Sequence, residues 1–311
     1  MNWWLLQTRS ADPAILTEGL AKRYGSTVAV RGLSLRVDRG DVFGFLGPNG
    51  AGKTTAVKML LGLVHPSGGR AELFGKPVGD RATRARIGYL PELFRYQEWA
   101  SANDVLRYHA RLIGMDGQTT KNEIARTLDL ASLSARGSDR VGTFSKGMQQ
   151  RLGLAVALLG APELVFLDEP TSALDPIGRR DVREIIRHLK NQGTTVFLNS
   201  HLLTEVAEVC DRVAIVDRGA VVLAGTIDEV AGTAPAVRMR LVGNTIVIDA
   251  VLAPFGAIAR DGEWITIAGV LPERIPLVVE ALVAAGIGIY HIEPKVASLE
   301  ERFLASVGAK V

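Results

Sequence analysis

The residues Gly47-Pro48-Asn49-Gly50-Ala51-Gly52-Lys53-Thr54-Thr55 fit G-x-x-x-x-G-K-[ST], the pattern of a loop that cradles phosphate. Its glycines let backbone N–H groups turn inward as an anion nest, and a following helix adds positive partial charge. Lys53 is placed to reach the β- and γ-phosphates of a nucleotide, and the Thr54 hydroxyl to ligate Mg²⁺. Downstream, the apolar run Leu164-Val165-Phe166-Leu167 ends in Asp168-Glu169. Acids at the C-terminal end of a buried parallel strand stand where α/β proteins place their chemistry. A third strand-like run, Thr195 to Leu198, ends in Asn199-Ser200-His201. A lone histidine at a strand end is more often structural, but third in line after two phosphate-site motifs it reads as functional. Together these residues describe nucleotide hydrolysis, which needs positioning and charge neutralisation more than covalent chemistry. Asp168 would hold Mg²⁺, Glu169 would orient or deprotonate the attacking water, and His201 would contact the γ-phosphate.

The elements that must position these groups follow from the patterning. Val42-Phe43-Gly44-Phe45-Leu46 reads as a buried strand leading into the loop, and Ala56 to Leu61 as the helix leaving it. Residues 14 to 40 read as short strands, with Leu33, Leu35 and Val37 alternating with Ser34, Arg36 and Asp38. Tyr24, just before Gly25, is either turn packing or a ring that stacks on adenine, and sequence order does not choose. Strands are expected at Arg70 to Phe74 and at Arg86 to Leu90, the latter running into Pro91-Glu92. Residues 93 to about 160 look like a helical insert. In it Val105, Leu106, His109, Leu112 and Ile113 share a face behind the N-cap Ser101, and Thr120 with Glu123 forms a second helix start. A further helix opens at Phe144-Ser145-Lys146-Gly147-Met148. Asp175 and Pro176 open another, whose apolar face is Ile177, Val182, Ile185, Ile186 and Leu189. Val213 to Val216 and Val221 to Ala224 read as a closing hairpin.

Composition shifts after Gly232-Thr233-Ala234-Pro235, a linker pattern. Residues 236 to 311 then run β-α-β-β-α-β, the ferredoxin-like split motif, with a last helix at Ser298 to Ser306. The expected division is a tail over 1–13, a large α/β domain over 14–231 and a small α+β domain over 236–311.

The chain has 311 residues, 47% of them hydrophobic and 22% charged, which excludes a disordered polymer. A net charge of +3 without a Lys/Arg block gives no sign of a nucleic-acid partner. The single cysteine, Cys210, rules out an internal disulfide and fits a reducing compartment. No run reaches the roughly 18 apolar residues of a membrane span. Leu152 to Leu167 comes nearest and is broken by Gly153, Gly160, Pro162 and Glu163. The start, Met1-Asn2-Trp3-Trp4-Leu5-Leu6, lacks the basic region of a signal peptide and reads as a frayed tail. A cytoplasmic chain is expected.

With these motifs assembled, the chain over about residues 14 to 230 resembles the ATP-binding subunit of an ABC transporter. The motifs stand in that family's order: Tyr24, the Walker A loop at 47–55, a Q-loop position at Glu92 and the signature FSKGMQQR at 144–151. Walker B with Asp168 and Glu169, the D-loop SALD at 172–175 and the switch His201 follow. The resemblance implies a P-loop NTPase core with an antiparallel β subdomain and a helical subdomain, and ATP with Mg²⁺ as cofactors. By the same resemblance Tyr24 stacks on adenine, and Ser145, Gly147 and Met148 of one subunit meet the γ-phosphate held by Walker A of another. Asp175 lies near the two-fold axis of that ATP-sandwich dimer, and Glu92 joins Thr54 and Asp168 at the metal. A separate membrane permease is implied, with this chain peripheral on the cytoplasmic face.

Two motifs depart from the family pattern. The usual LSGGQ is Phe144-Ser145-Lys146-Gly147-Met148, and the usual Q-loop glutamine is Glu92, a carboxylate that ligates metal but donates no amide hydrogen bond. Both departures resemble the exporter branch that handles drugs, lipids, polysaccharides or sodium, as does Ser298-Leu299-Glu300-Glu301-Arg302-Phe303. Rival readings fit less well. A P-loop kinase or GTPase needs neither signature nor strand-end histidine, and no Asn-Lys-x-Asp guanine loop is present. ABC-type translation factors carry two cassettes, and repair ATPases carry long coiled-coil arms. A regulatory or sensory cassette not coupled to transport is the remaining alternative.

Overall fold

The computed structural model describes residues 12–172, 174–232, 235–295 and 299–308. The Trp-bearing start, Ala173 of the SALD segment, Thr233-Ala234 of the linker and Ser298 lie outside the described residues. The chain divides into two compact units, one ending at Ile227 and the other beginning at Asp228.

In the first unit, β1 (Ile15–Tyr24) and β2 (Thr27–Val37) pair antiparallel, and at ten and eleven residues they are longer than the short strands expected. Leu33, Leu35 and Val37 are buried as their alternation requires, but so is Asp38, which turns back to pair with Arg36 at 2.9 Å. Next come β3 (Val42–Leu46), α1 (Lys53–Leu60), β4 (Gly68–Leu73), β5 (Lys76–Pro77), a single turn α2 (Arg81–Arg84) and β6 (Ile87–Leu90). The insert holds α3 (Ala102–Leu112), α4 (Gly117–Leu130) and α5 (Lys146–Ala157). It is followed by β7 (Leu164–Asp168), α6 (Pro176–Asn191), β8 (Thr195–Asn199), α7 (Leu203–Val209), β9 (Arg212–Asp217) and β10 (Ala220–Thr226).

These strands form two sheets. An antiparallel sheet has the order β2-β1-β4-β5, and a six-stranded one runs β10-β9-β3-β8-β7-β6. In the second sheet β9, β3, β8, β7 and β6 are parallel and β10 closes the edge antiparallel. All five positions of β3, of β7 and of β8 are buried, as parallel strands covered on both faces must be. Phe197 on β8 is the hub of the core. Its ring lies 5.7 Å from Phe43, 5.2 Å from Phe45 and 5.2 Å from Phe166, joining β3, β8 and β7. Burying each such ring contributes about 1.5–3 kcal/mol. The α1 residues Val57, Met59 and Leu60 and the β2 residues Leu33 and Leu35 join the same cluster.

The insert has a core of its own, including Val105, Leu106, Ile124, Leu128, Phe144 and Leu152. Ser101 caps α3 in a reciprocal box with Asp104. Leu112 and Ile113, expected on the buried face, are 65% and 49% exposed, and the small Ala102 and Ala110 take the core positions. The expected helix start at Thr120 and Glu123 is also corrected. α4 begins at Gly117, and Thr120 lies buried inside it with its hydroxyl unpartnered. Glu123 instead accepts from Arg126 and from the Gly160 N–H at 2.9 Å. Such charge-assisted bonds are stronger than a neutral cap. On α6, Ile177 is 62% exposed while Val182, Ile185, Ile186 and Leu189 are buried. Ile177 sits in the first turn, beyond the reach of the packed stripe.

α8 (Ile227–Ala231) leads into the second unit, and its last carbonyl accepts from Arg302 Nε at 3.4 Å. Then follow β11 (Ala236–Val242), α9 (Thr245–Leu252), β12 (Ala257–Asp261), β13 (Trp264–Ala268), α10 (Ile275–Ala284), β14 (Gly288–Lys295) and α11 (Leu299–Gly308). The sheet order β12-β13-β11-β14, antiparallel throughout, is that of the split β-α-β motif. Val237, Met239, Ile265 and Ile267 point to one side and pack with Ile248, Leu252, Val278 and Leu282 of the two helices.

Cys210 follows α7 in the first unit, where a Cβ placed on Gly44 would lie 3.2 Å from its Sγ. Burial, reinforced by the neighbouring Asp211, pushes its thiol well above the ordinary cysteine range. A thiol that does not ionise is a poor nucleophile. The native protein should therefore resist an aromatic disulfide reagent at pH 8 and release one thiol equivalent only on denaturation. Prompt labelling of the folded chain would contradict this packing.

Candidate functional site

The loop after β3 is shaped by close backbone approach. A Cβ on Gly47 would stand 2.3 Å from the Val216 carbonyl, and one on Gly52 2.3 Å from the Ala29 carbonyl. Gly50 and Gly52 have φ of +80° and +96°, the left-handed region that glycine enters without strain. Gly52 is also the N-cap of α1 and brings no capping side chain. The first-turn amides of α1 are thus left for an anion. Lys53 is 8% exposed, and its Nζ donates to the carbonyls of Gly47 at 2.7 Å and Pro48 at 3.3 Å. Burial pulls its pKa below the usual lysine range, opposed by the charges of Glu169, Asp168 and Glu92.

This loop walls a cavity of about 460 Å³. Asn49, Gly50, Ala51, Gly52, Lys53, Thr54 and Thr55 line one side, and Glu92, Glu169, Ser172, Asn199 and His201 the other. Gly47 and Pro48 contribute through the carbonyls that hold Lys53. Thr27, Val28 and Ala29 at the start of β2 complete the wall.

Strand order brings these groups together. β3, β8 and β7 are neighbours, and Asn199 pairs with Phe45 on one side and Asp168 on the other. Asp168 is 2% exposed and sits behind the wall, where the Asn199 side-chain amide donates to its Oδ1. Burial raises its pKa, the Asn199 bond opposes this, and the charge of Glu92 adds to the rise. Glu169 has φ +51°, and its N–H donates to the Asn199 carbonyl at 2.8 Å. Its carboxylate turns into the cavity, with Oε2 2.7 Å from His201 Nδ1. Burial raises the Glu169 pKa and the His201 ring opposes it. The arrangement is a carboxylate–imidazole pair facing a buried ammonium.

The donor set fits a nucleotide with its divalent cation. Among the described residues no three His, Cys, Asp or Glu side chains gather as a metal cluster. A Mg²⁺ ion needs no such cluster, because it takes one or two protein oxygens and fills its shell with phosphate and water. Thr54 on the loop side and Asp168 and Glu92 on the other offer hard oxygens for it.

The remaining sequence-derived positions lie elsewhere. Tyr24 does not line the cavity. It is 48% exposed with Lys22 Nζ 5.0 Å from its ring centre, and it pairs in register with Thr27, which does line it. Ser145, Gly147, Met148 and Asp175 line a different cavity of about 390 Å³. There Ser145 caps α5 by accepting from the Met148 N–H at 3.2 Å. Asp175 caps α6 by accepting from the Gly178 N–H at 2.7 Å. Asn199 and the Thr27–Ala29 segment were not singled out by sequence reasoning. Asn199 had a signal, its place two residues before His201 at a strand end. Thr27–Ala29 had none, since the antiparallel sheet reaches the cavity only through tertiary packing.

A family model described as ABC transporter matches residues 30–172. An uncharacterised ABC transporter ATP-binding protein of Nostoc sp. is 44% identical over 237 residues, 73% of this chain and 71% of that protein. The daunorubicin resistance ATP-binding protein DrrA3 of Streptomyces coeruleorubidus is 36% identical over 306 residues, 96% of this chain and 97% of its own. A solved ATP-binding subunit of an ABC transporter superposes with a TM-score of 0.64 at 29% identity, covering 70% of this chain and 91% of that one. The chain belongs to the ABC transporter family, as an ATP-binding subunit that hydrolyses ATP.

Two substitutions probe the loop. Lys53→Ala removes the buried ammonium and should abolish nucleotide-dependent thermal stabilisation. Gly52→Ala should do the same, because its Cβ collides with the Ala29 carbonyl. Gly50→Ala meets no atom within 4 Å but must hold a φ of +80°, and it should weaken binding less than Gly52→Ala, which has both the strain and the collision. Equal stabilisation of Lys53→Ala and wild type by ATP would remove the cavity from consideration.

Proposed function

We propose that this chain binds Mg-ATP in the cavity at the ends of β3, β8 and β7 and that its hydrolysis drives export through a separate membrane permease. The observation that carries the reading is the Glu169–His201 pair, 2.7 Å apart, facing Lys53 across a glycine-lined cavity. The loop amides and Lys53 hold the phosphates. Thr54, Asp168 and Glu92 hold Mg²⁺, which when bound neutralises phosphate charge. Glu169 accepts a proton from the attacking water or orients it, a role suited to a carboxylate whose pKa burial has raised. His201 steadies Glu169 through Nδ1 and presents its other nitrogen to the terminal phosphate. Tyr24, at the rim beside Thr27, stacks on the adenine.

The signature residues act in trans. Ser145, Gly147 and Met148 line a cavity distinct from that of Lys53, so a γ-phosphate meets both sets when a second copy supplies one of them. A two-fold axis makes two such sites at once, with Asp175 close to it. Export is supported by the drug-resistance role in the name of the Streptomyces relative. Among the described residues no helix is long and apolar enough to cross a membrane, so the span falls to the permease. A groove of about 760 Å³ lined by Tyr89, Phe94, Tyr96, Trp99, Tyr108 and His109 supports a place for it. That groove is continuous in sequence with Glu92, which links it to the nucleotide. On this reading the chain works at the cytoplasmic face of the membrane, held there by its permease. The residues that line the nucleotide cavity belong to the first unit, and we assign the second no part in binding ATP.

Glu169→Gln should bind ATP and lose about 10²–10⁴-fold in turnover, the usual contribution of a general base. Holding ATP uncleaved, it should sediment as a dimer with Mg-ATP and as a monomer without it, and Ser145→Arg should abolish the dimer. A monomer at saturating Mg-ATP, together with wild-type hydrolysis by Ser145→Arg, would overturn the shared site. Co-purification of the chain with a membrane protein separates a transport subunit from a regulatory cassette.

A further inference from the structure

One buried carboxylate in the first unit lies outside the cavity and is not explained by packing. Glu205 on α7 is 6% exposed, four residues after His201. The Thr171 hydroxyl, itself 1% exposed and two residues after Glu169, donates to Glu205 Oε2. Glu205 Oε1 accepts no hydrogen bond, and Arg179 Nε lies 3.9 Å from it while donating to the Leu174 carbonyl at 3.2 Å. An apolar side chain at 205 would suit the core better, since burying an incompletely paired carboxylate is costly.

The backbone beside it gives the carboxylate a purpose. Glu169 is held at φ +51°, a conformation that non-glycine residues keep only when their surroundings fix it. Three bonds do so. Its N–H is tied to the Asn199 carbonyl on β8, and the next carbonyl, of Pro170, accepts from the buried Gln150 amide on α5 at 3.0 Å. The third is the Thr171–Glu205 bond, and it comes from the helix that follows His201 directly. It therefore closes a ring: Glu169 to Thr171 along one chain segment, Thr171 to Glu205 through the bond, and Glu205 back to His201 along α7.

We propose that Glu205 is a positioning residue for hydrolysis, fixing the Glu169–His201 pair through the Thr171 hydroxyl. The inference rests on the reading of Glu169 and His201 as the hydrolytic pair. Glu205 does not line the nucleotide cavity. It sets where the two groups that do so stand, and a displaced pair loses rate while the phosphate loop still binds.

The test compares Thr171→Val, Thr171→Ser, the pair Thr171→Val/Glu205→Met and Glu169→Gln in the full chain, by ATPase kinetics, ATP affinity and thermal unfolding. Thr171→Val should lower kcat by about 10–100-fold, the scale seen when supporting hydrogen bonds around a site are removed, with ATP affinity unchanged. Thr171→Ser, which keeps the hydroxyl, should recover most of that loss. The paired variant leaves no hydroxyl or carboxylate unpaired at the contact, so its melting temperature should return toward wild type while kcat stays low. Wild-type kcat in Thr171→Val, or recovery of kcat along with stability in the paired variant, would overturn the proposal and leave a packing contact. Wild-type turnover by Glu169→Gln would instead overturn the reading of the pair itself.

Discussion

The packing of four phenylalanine rings across β3, β8 and β7 is the constraint on which the rest of the molecule depends. Phe197 touches Phe43, Phe45 and Phe166, and these contacts set the three strands level with one another. A slip of one residue in any of these strands would carry its ring to the other face of the sheet and out of this cluster, so the rings hold the register. Because the strands are parallel, their C-terminal ends emerge together. The phosphate loop, the Asp168-Glu169 pair and the Asn199-Ser200-His201 segment are brought to one place by that alignment, and the Asn199–Asp168 and His201–Glu169 bonds then tie the last two together.

Charge then decides what the place can accept. Lys53 is a single buried ammonium beside Asp168, Glu169 and Glu92, with the helix end and loop amides on the other side. Burial raises the pKa of both strand-end carboxylates, while Asn199 and His201 each pull one of them back. A polyphosphate entering such a site meets donors along the glycines and acids along the opposite wall. A divalent cation between phosphate and acid resolves that repulsion, which accounts for hard oxygen donors without a closed protein cage. Glu92, where the family pattern has glutamine, adds one more negative charge to the acidic wall.

Local capping also bears on the proposed trans contact. Ser145 and Asp175 both cap their own helices, contributing about 0.5–2 kcal/mol each, so both have a structural reason to be where they are. That reason does not compete with a role in trans. A capped helix start presents the same ordered amides to any anion brought against it. The cavity lined by Ser145, Gly147, Met148 and Asp175 is open to such use, and symmetry would complete two sites with one kind of surface.

Much of this was legible in the chain itself. The spacing of Gly47, Gly52, Lys53 and Thr54 specifies a phosphate loop because so few backbones can turn amides inward. Apolar runs ending in Asp168-Glu169 and His201 mark strand tips because a buried parallel strand leaves only its ends for chemistry. The order β-α-β-β-α-β in the second unit was readable because each element there is short and bounded by glycine or proline. Other features depended on neighbours that no local pattern names. Leu112 and Ile113 lie exposed because alanines fill the narrow gap in the insert's core, and Glu123 left its expected cap for a guanidinium and a distant amide. Thr27–Ala29 form wall only because the antiparallel sheet packs over the loop. The left-handed turn at Glu169 and the buried Thr171–Glu205 bond belong to the same class. The sequence determined which groups exist and which strand ends carry them, since composition and period are local properties. Distances, burial and the partner of each charge were decided by the tertiary structure, because they depend on residues far apart in the chain meeting at one strand edge.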